Sequence, residues 1–485
     1  MTRRAKIVCT LGPATSSPEV IRQLIDAGMD VARLNFSHGT AAEHTRAHRL
    51  VREAADAAGR AVAVLADLQG PKIRLGTFAD GPVEWADGDE VVITTDDVEG
   101  SRDRVSTTYA GLPGDVTPGA QLLVDDGNIA LTVSKVDGAD VHCRVVQGGR
   151  VSDHKGISLP DVDVSEPALT DKDRADLKVA LALRVDLVAL SFVRSPSDVE
   201  PVRAMMREAG AMLPVIAKVE KPAAVDRLED IVAAFDGLMV ARGDLGVEMP
   251  LEAVPIVQKR AVQLARENAK PVIVATQMLE SMIGSPRPTR AEASDVANAV
   301  LDGADAVMLS GETSVGRYPI AAVSTMARIV ESVDSQTVSA TPGGPRQEFL
   351  VPPLLHRPKT KGGAIAMAAT EVGELLGAKA LVGFTQSGDT VRRMARHRSA
   401  LPLLAFTPDP AVRSQLALTW GVETFHTAHA THTDEMVAQV QEILLSLDRF
   451  TEGDLVVIVA GSPPGIPGST NALRVWRLGD ELPNV

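Results

Sequence analysis

Val215-Ile-Ala-Lys-Val-Glu220 and Leu238-Met-Val-Ala-Arg-Gly-Asp244 are two short aliphatic runs, and each stops in a cation and a carboxylate. Strands of a parallel sheet are buried on both faces and read as continuous apolar runs, and ligands gather where such strands end. The two runs lie about one strand-helix unit apart. Glu220 and Asp244 are therefore expected on neighbouring strand ends, where they could hold one hard cation between them. Lys218 and Arg242 beside them would suit an anionic substrate. The pair predicts a metal-assisted site for a phosphorylated acid.

The same rhythm extends in both directions. Strand-like runs occupy Lys6–Thr10, Val31–Asn35, Val62–Asp67, Leu187–Ser191, Val215–Val219, Leu238–Ala241, Val272–Ala275 and Ala306–Leu309. Helical patterns fall between them at Pro18–Ala27, Ala42–Ala58, Asp171–Leu183, Pro196–Glu208, Leu251–Asn268, Arg290–Asp302 and Ile320–Val333. Ser17, Thr170, Ser195 and Thr289 stand where N-caps are wanted. Eight strands, each followed by a helix, predict an α/β fold built on a (β/α)8 barrel, the TIM barrel.

One gap breaks the pattern. Between Lys72 and Leu159 come short Val-rich runs with Gly/Asp turns, at Glu90–Thr94, Gln121–Val124, Ile129–Val136 and Asp140–Val146. This predicts a small inserted β-barrel over residues 71–159, placed to act as a lid on a catalytic barrel of residues 1–70 and 160–338. Residues 339–361 read as a Pro/Gly/Ser-rich linker. The α/β alternation then resumes, so residues 362–485 are expected to form a three-layer α/β domain.

Bulk properties narrow the function. The 485 residues carry a net charge of −14 and 3% aromatic side chains, which argues against a nucleic-acid partner. No run approaches the length of a membrane span, and the first residues lead directly into Ile7-Val8 without a signal-like segment, so no membrane association is expected. Two cysteines, Cys9 and Cys143, cannot build a disulfide framework and point to a reducing, cytoplasmic setting. Cys9 sits in an apolar run and reads as an inert core thiol.

An acidic chain with an anionic substrate must concentrate its cations locally. The strand ends supply them: Arg33-Leu-Asn35-Phe-Ser37-His38, Asp67-Leu-Gln-Gly-Pro-Lys72-Ile-Arg74, Ser191, Lys218 with Glu220, Arg242-Gly243-Asp244, Thr276-Gln277, and Ser310-Gly-Glu-Thr313. A barrel brings these ends to one rim. Two carboxylates suit Mg²⁺, which keeps waters and takes substrate oxygens for its remaining ligands. Taken singly, each motif has a plainer reading: a surface ion pair at Lys218-Val-Glu220, a turn at Arg-Gly-Asp, a helix start at Ser310, an ordered loop at His38.

The ordered motifs Arg33-Leu-Asn-Phe-Ser-His-Gly39, Gly70-Pro-Lys-Ile-Arg74, Ile216-Ala-Lys-Val-Glu220, Met239-Val-Ala-Arg-Gly-Asp-Leu-Gly246, Ala275-Thr-Gln-Met-Leu-Glu-Ser-Met282 and Met308-Leu-Ser-Gly-Glu-Thr313 resemble the pyruvate kinase family. The resemblance implies phosphoryl transfer from phosphoenolpyruvate to ADP, giving pyruvate and ATP, the last step of glycolysis. It implies Mg²⁺ (or Mn²⁺) on Glu220 and Asp244, and Lys218 as the charge beside the moving phosphoryl group. Arg33 would grip the phosphate, Gly243 and Asp244 amides the carboxylate, and Thr276 would lie near the face where enolpyruvate is protonated. Asn35, Arg74 and Lys155 would meet the nucleotide. A homotetramer is the implied assembly.

One departure stands out. Many members hold K⁺ with groups matching Asn35, Ser37, Asp67 and the residue after it, usually Thr, and carry Glu where this chain has Lys72. Here that next residue is Leu68. Activity without K⁺ is therefore expected, with the Lys72 ammonium in its stead. Thr385, Ser387, Gly388 and Thr390 resemble the family's effector site, faced by the Gly461–Thr470 loop, and would take a phosphorylated activator such as AMP or a sugar phosphate. Two rival readings remain at this stage: a Mg²⁺-dependent lyase or mutase acting on related enolates, and a non-catalytic nucleotide sensor.

Overall fold

The structure is a computed structural model and describes residues 3–160, 162, 164–337, 351–466 and 468–481. Eight parallel strands close into a barrel. They are β1 (Lys6–Thr10), β2 (Val31–Asn35), β3 (Ala63–Asp67), β4 (Leu187–Leu190), β5 (Val215–Val219), β6 (Gly237–Ala241), β7 (Val272–Ala275) and β8 (Ala306–Leu309). β8 pairs back onto β1, with Lys6 opposite Ala306. Alternation within each run explains the two cores. Val8, Leu65, Ile216, Met239 and Ile273 fill the barrel, while Cys9, Val64, Ala217, Val240 and Val274 pack outward against the helices.

Both cysteines are buried, and burial raises both thiols, Cys143 to about 12. The helices largely follow the expected spans, with Thr170 and Thr289 closing capping boxes with Asp173 and Glu292. Two local differences arise after β5 and β6. The β5 connection is a pair of short helices, Pro222–Asp226 and Leu228–Ala234, too brief to show a helical period in sequence. Arg242–Glu248 is a short helix and not a bare turn; Asp244 lies in its first turn, where a carboxylate is favoured.

The insertion packs Trp85, Ile93, Leu122, Leu131 and Val145 into its own core. Its strands form a six-stranded sheet and a two-stranded ribbon, and not one closed small barrel. The four predicted strands are present, and the sheet gains short pieces at Arg104–Ser106 and Ile157–Ser158. The two chains leading into and out of the insertion pair with each other, Arg74 against Gly156.

The C-terminal domain is a five-stranded sheet with a separate apolar core on each face, hence three layers. Two of its strands escaped the sequence reading. Val422–His426 and the antiparallel Thr470–Arg477 are edge strands, interspersed with polar residues. Of the expected linker, residues 339–350 lie outside the described residues; its last residue, Lys361, begins a helix capped by Thr360. The domain docks on the barrel's lower end, where Ala417 and Leu418 complete the interior cluster and the Lys6 ammonium donates to the Val422 carbonyl at 2.8 Å. The upper rim is left to the site.

Candidate active site

β5 ends the barrel wall with Lys218 on the rim, its side chain 12% exposed. Its Nζ lies 2.9 Å from Glu220 Oε1 and 3.3 Å from Asp67 Oδ1, and donates to Ser191 Oγ at 2.7 Å. Burial opposes the charge, but the Asp67 and Glu220 carboxylates outweigh it and hold the ammonium above its ordinary value. Asp67, at the end of β3, also pairs with Arg33 Nε at 2.6 Å. Arg33 Nη1 donates to Thr10 Oγ1 at 2.9 Å, which leaves Nη2 without a partner among the described residues. β1, β2, β3, β4 and β5 thus contribute to one charge web.

Glu220 is 1% exposed, and its Oε2 accepts from the Phe192 amide at 2.7 Å. Burial and the nearby Asp244 charge push its carboxyl upward, against the pull of Lys218. A divalent cation between two hard carboxylates would relieve that repulsion, so the donor set fits Mg²⁺ or Mn²⁺. Among the described residues no cluster of three or more His, Cys, Asp and Glu forms a fuller metal cage.

Thr276 and Gln277 follow β7 with φ of 68° and 53°. A β-branched residue in the left-handed region is strained and needs outside support. Arg242 supplies it. Its guanidinium donates to the Thr276 carbonyl at 2.8 Å and the Ala275 carbonyl at 3.3 Å, and Asp295 grips it at 2.6 Å. Arg242, read from sequence as a cation for substrate, is turned away into this clamp. Asp295 was missed altogether, because nothing in a helix sequence marks its partner. The Gly243 amide donates to Thr276 Oγ1 at 2.7 Å, and Thr276 Oγ1 donates to the Ala275 carbonyl at 2.6 Å.

Arg74 and Lys155 stand on the paired connections of the insertion. Arg74 Nη1 donates to the His154 carbonyl at 3.0 Å, and Lys155 pairs with Asp125 at 2.6 Å. Asn35 Oδ1 accepts from the Ser37 amide at 3.2 Å. The Leu68 side chain is buried in the core, and its carbonyl accepts from Ser191 Oγ at 2.7 Å. Lys72 is exposed and enters no ion pair among the described residues; after burial, its charge is the largest influence lowering the His38 pKa.

Far from the rim, Thr385, Ser387 and Thr390 line a small cavity together with Gly461 and Thr470. Thr385 Oγ1 accepts from the Gly388 amide at 2.9 Å, and the Thr390 and Thr470 hydroxyls lie 2.6 Å apart. The helix that follows has only seven residues, Asp389–Ala395, so hydroxyls and loop amides define the cavity more than a helix dipole does.

A family model described as pyruvate kinase, barrel domain, matches residues 2–323, and one described as pyruvate kinase, alpha/beta domain, matches residues 363–476. A pyruvate kinase of Mycobacterium intracellulare is 64% identical, covering 99% of this chain and 100% of its own. That of Corynebacterium efficiens is 60% identical over 99% of both chains. A pyruvate kinase structure from Cryptosporidium parvum superposes with a TM-score of 0.88 at 34% identity, covering 98% of this chain and 96% of that one.

Proposed function

The chain belongs to the pyruvate kinase family, and from that premise we propose that its rim moves the phosphoryl group of phosphoenolpyruvate onto ADP, giving pyruvate and ATP. The observation that carries the assignment of roles is the Lys218 ammonium, protonated and fixed by Asp67, Glu220 and Ser191 in the middle of the strand ends. Phosphoryl transfer is mostly positioning and charge neutralisation. Arg33, held rigid by Asp67 and Thr10, offers its free Nη2 to the phosphate. Lys218 then faces the phosphoryl oxygens in transit and the enolate oxygen left behind.

Glu220 and Asp244 would hold Mg²⁺, or Mn²⁺ in its place, which when bound neutralises charge on the substrate oxygens. A substrate carboxylate that takes the Gly243 and Asp244 amides displaces Thr276 Oγ1 from Gly243 and frees that hydroxyl near the carbon to be protonated. The insertion, residues 71–159, closes as a lid so that water does not compete with ADP. Arg74 and Lys155 swing to the nucleotide phosphates near Asn35. Lys155 gives up an ion pair that is about a third exposed, a contact worth roughly 1 kcal/mol or less.

Leu68 offers no hydroxyl and Lys72 brings its own charge, so the enzyme works without K⁺. The hydroxyl-lined cavity of the C-terminal domain, residues 362–485, takes a phosphorylated activator, AMP or a sugar monophosphate, in a cytoplasmic homotetramer. Pyruvate release from phosphoenolpyruvate, measured with and without ADP, tests the reaction. Strict ADP dependence is expected; release without ADP would point to a lyase or mutase, and no release at all to a sensor. Calorimetry with AMP and sugar phosphates tests the activator, and loss of the heat in Thr385→Ala is the expected result.

A further inference from the structure

Lys221 is the wrong charge for its place. It follows Glu220 directly, and a cation beside a metal-binding carboxylate repels the ion that the carboxylate is there to hold. Its side chain is only 16% exposed, and its Nζ pairs with Glu248 at 2.5 Å. Glu248 is the last residue of the helix Arg242–Glu248, where a carboxylate opposes the helix dipole. Its side chain is 4% exposed, and its Oε2 has no hydrogen-bond partner among the described residues. Lys221 is its only ion-pair partner there. Neither residue suits its position alone, so the pair calls for a role that joins the two elements.

Those elements are the ones that carry the candidate metal ligands. Lys221 lies one residue beyond Glu220, just after β5. Glu248 lies one helical turn beyond Asp244, on the same helix face. The ion pair therefore spans the same gap as the two carboxylates. The helix has seven residues, too few to hold itself in place. Its first turn is fastened by Arg242 to Asp295 and by the Gly243 amide to Thr276 Oγ1. Lys221 fastens its last.

Phe192 braces the β5 side. Its amide donates to Glu220 Oε2 at 2.7 Å, and Lys221 Nζ lies 5.8 Å from its ring centroid. Its φ of 53° is strained for a bulky side chain, and such a residue persists only where its surroundings hold it. The ring is wedged against Gly70, where a Cβ would come within 2.7 Å of it. One residue thus grips Glu220 with its backbone and Lys221 with its face.

We propose that Lys221 and Glu248 are positioning residues that set the separation of Glu220 and Asp244, so that both carboxylates reach one divalent ion. That role rests on Glu220 and Asp244 being the ligands of the ion.

Free Mn²⁺, followed by electron paramagnetic resonance as the full chain is titrated without substrates, gives affinity apart from activity. The melting temperature of each variant without metal reads folding. Glu220→Gln should lose the bound Mn²⁺; unchanged binding there would overturn the metal reading and the positioning role together. Lys221→Met decides the sign. A field effect alone predicts tighter binding once a repelling charge is gone, whereas positioning predicts weaker binding. Lys221→Met/Glu248→Gln leaves the net charge unaltered and should weaken Mn²⁺ roughly tenfold or more. Glu248→Asp keeps the charge but shortens the reach by a methylene, so it should weaken Mn²⁺ severalfold without unfolding the chain, while Lys221→Arg should stay near wild type. If Glu220→Gln loses the ion but the folded Lys221→Met and Glu248→Asp variants bind it as tightly as wild type or more so, the positioning role is overturned and the metal reading stands.

Discussion

Lys218 shows how the sequence and the structure divide the work at the scale of a residue. Its identity and its place after an apolar run were legible, as were those of Glu220. Its anchors, Asp67 and Ser191, were seen as polar strand ends but not as its partners, because they arrive from β3 and β4. Arg242 was misread for the same reason. A cation beside a carboxylate in sequence pairs instead with Asp295, a helix residue whose role only the fold defines. Asp295→Ala should therefore lower kcat roughly tenfold, since misplacing a reacting group by a fraction of an ångström is expensive. KM for phosphoenolpyruvate should move less; steady-state kinetics with an unchanged kcat would remove Arg242 and Asp295 as positioning residues. Lys72 carries a separate prediction. Wild-type rates in K⁺-free buffer should match those with K⁺, and Lys72→Glu should create a K⁺ requirement. A loss of orders of magnitude for wild type without K⁺ would refute it.

At the scale of elements, strands were read almost residue for residue wherever they are buried on both faces. The edge strands Val422–His426 and Thr470–Arg477 were not, because half-exposed strands dilute the apolar signal with polar residues. The insertion illustrates the same limit: its long strands were found and its two- and three-residue pieces were not. The short helical turn Leu416–Leu418 closes the barrel floor. Leu418 is fully buried there, so Leu418→Ala should cost about 2–5 kcal/mol through lost burial and the cavity left behind. Denaturant titration checks this. A change below about 1 kcal/mol would mean that the floor repacks freely.

For the whole molecule, charge is sorted by position more than by amount. A chain of net charge −14 gathers cations on the rim, and a second set lines the domain seam. Its acid stability follows from groups elsewhere. Burial lowers His48 from 6.5 to about 4, so it folds neutral. That stability is complete above pH 6.5 and is lost as pH falls toward 4. Burial would raise Asp30, but Arg3, Lys6 and Arg60 hold it below its usual value, so its contribution fades at lower pH still. Melting temperature should therefore begin to fall below pH 6.5, and His48→Gln should flatten the upper part of that decline; an unaltered profile would exclude His48 as the cause.

The central claim is that Lys218 supplies the charge that follows the phosphoryl group. The most direct measurement is the turnover of Lys218→Met at saturating phosphoenolpyruvate, ADP and Mg²⁺, with Mn²⁺ affinity followed in parallel. Loss of one preorganised charge at the transition state predicts a fall of roughly a hundredfold or more, with Mn²⁺ affinity little changed. Turnover within about threefold of wild type would contradict the account.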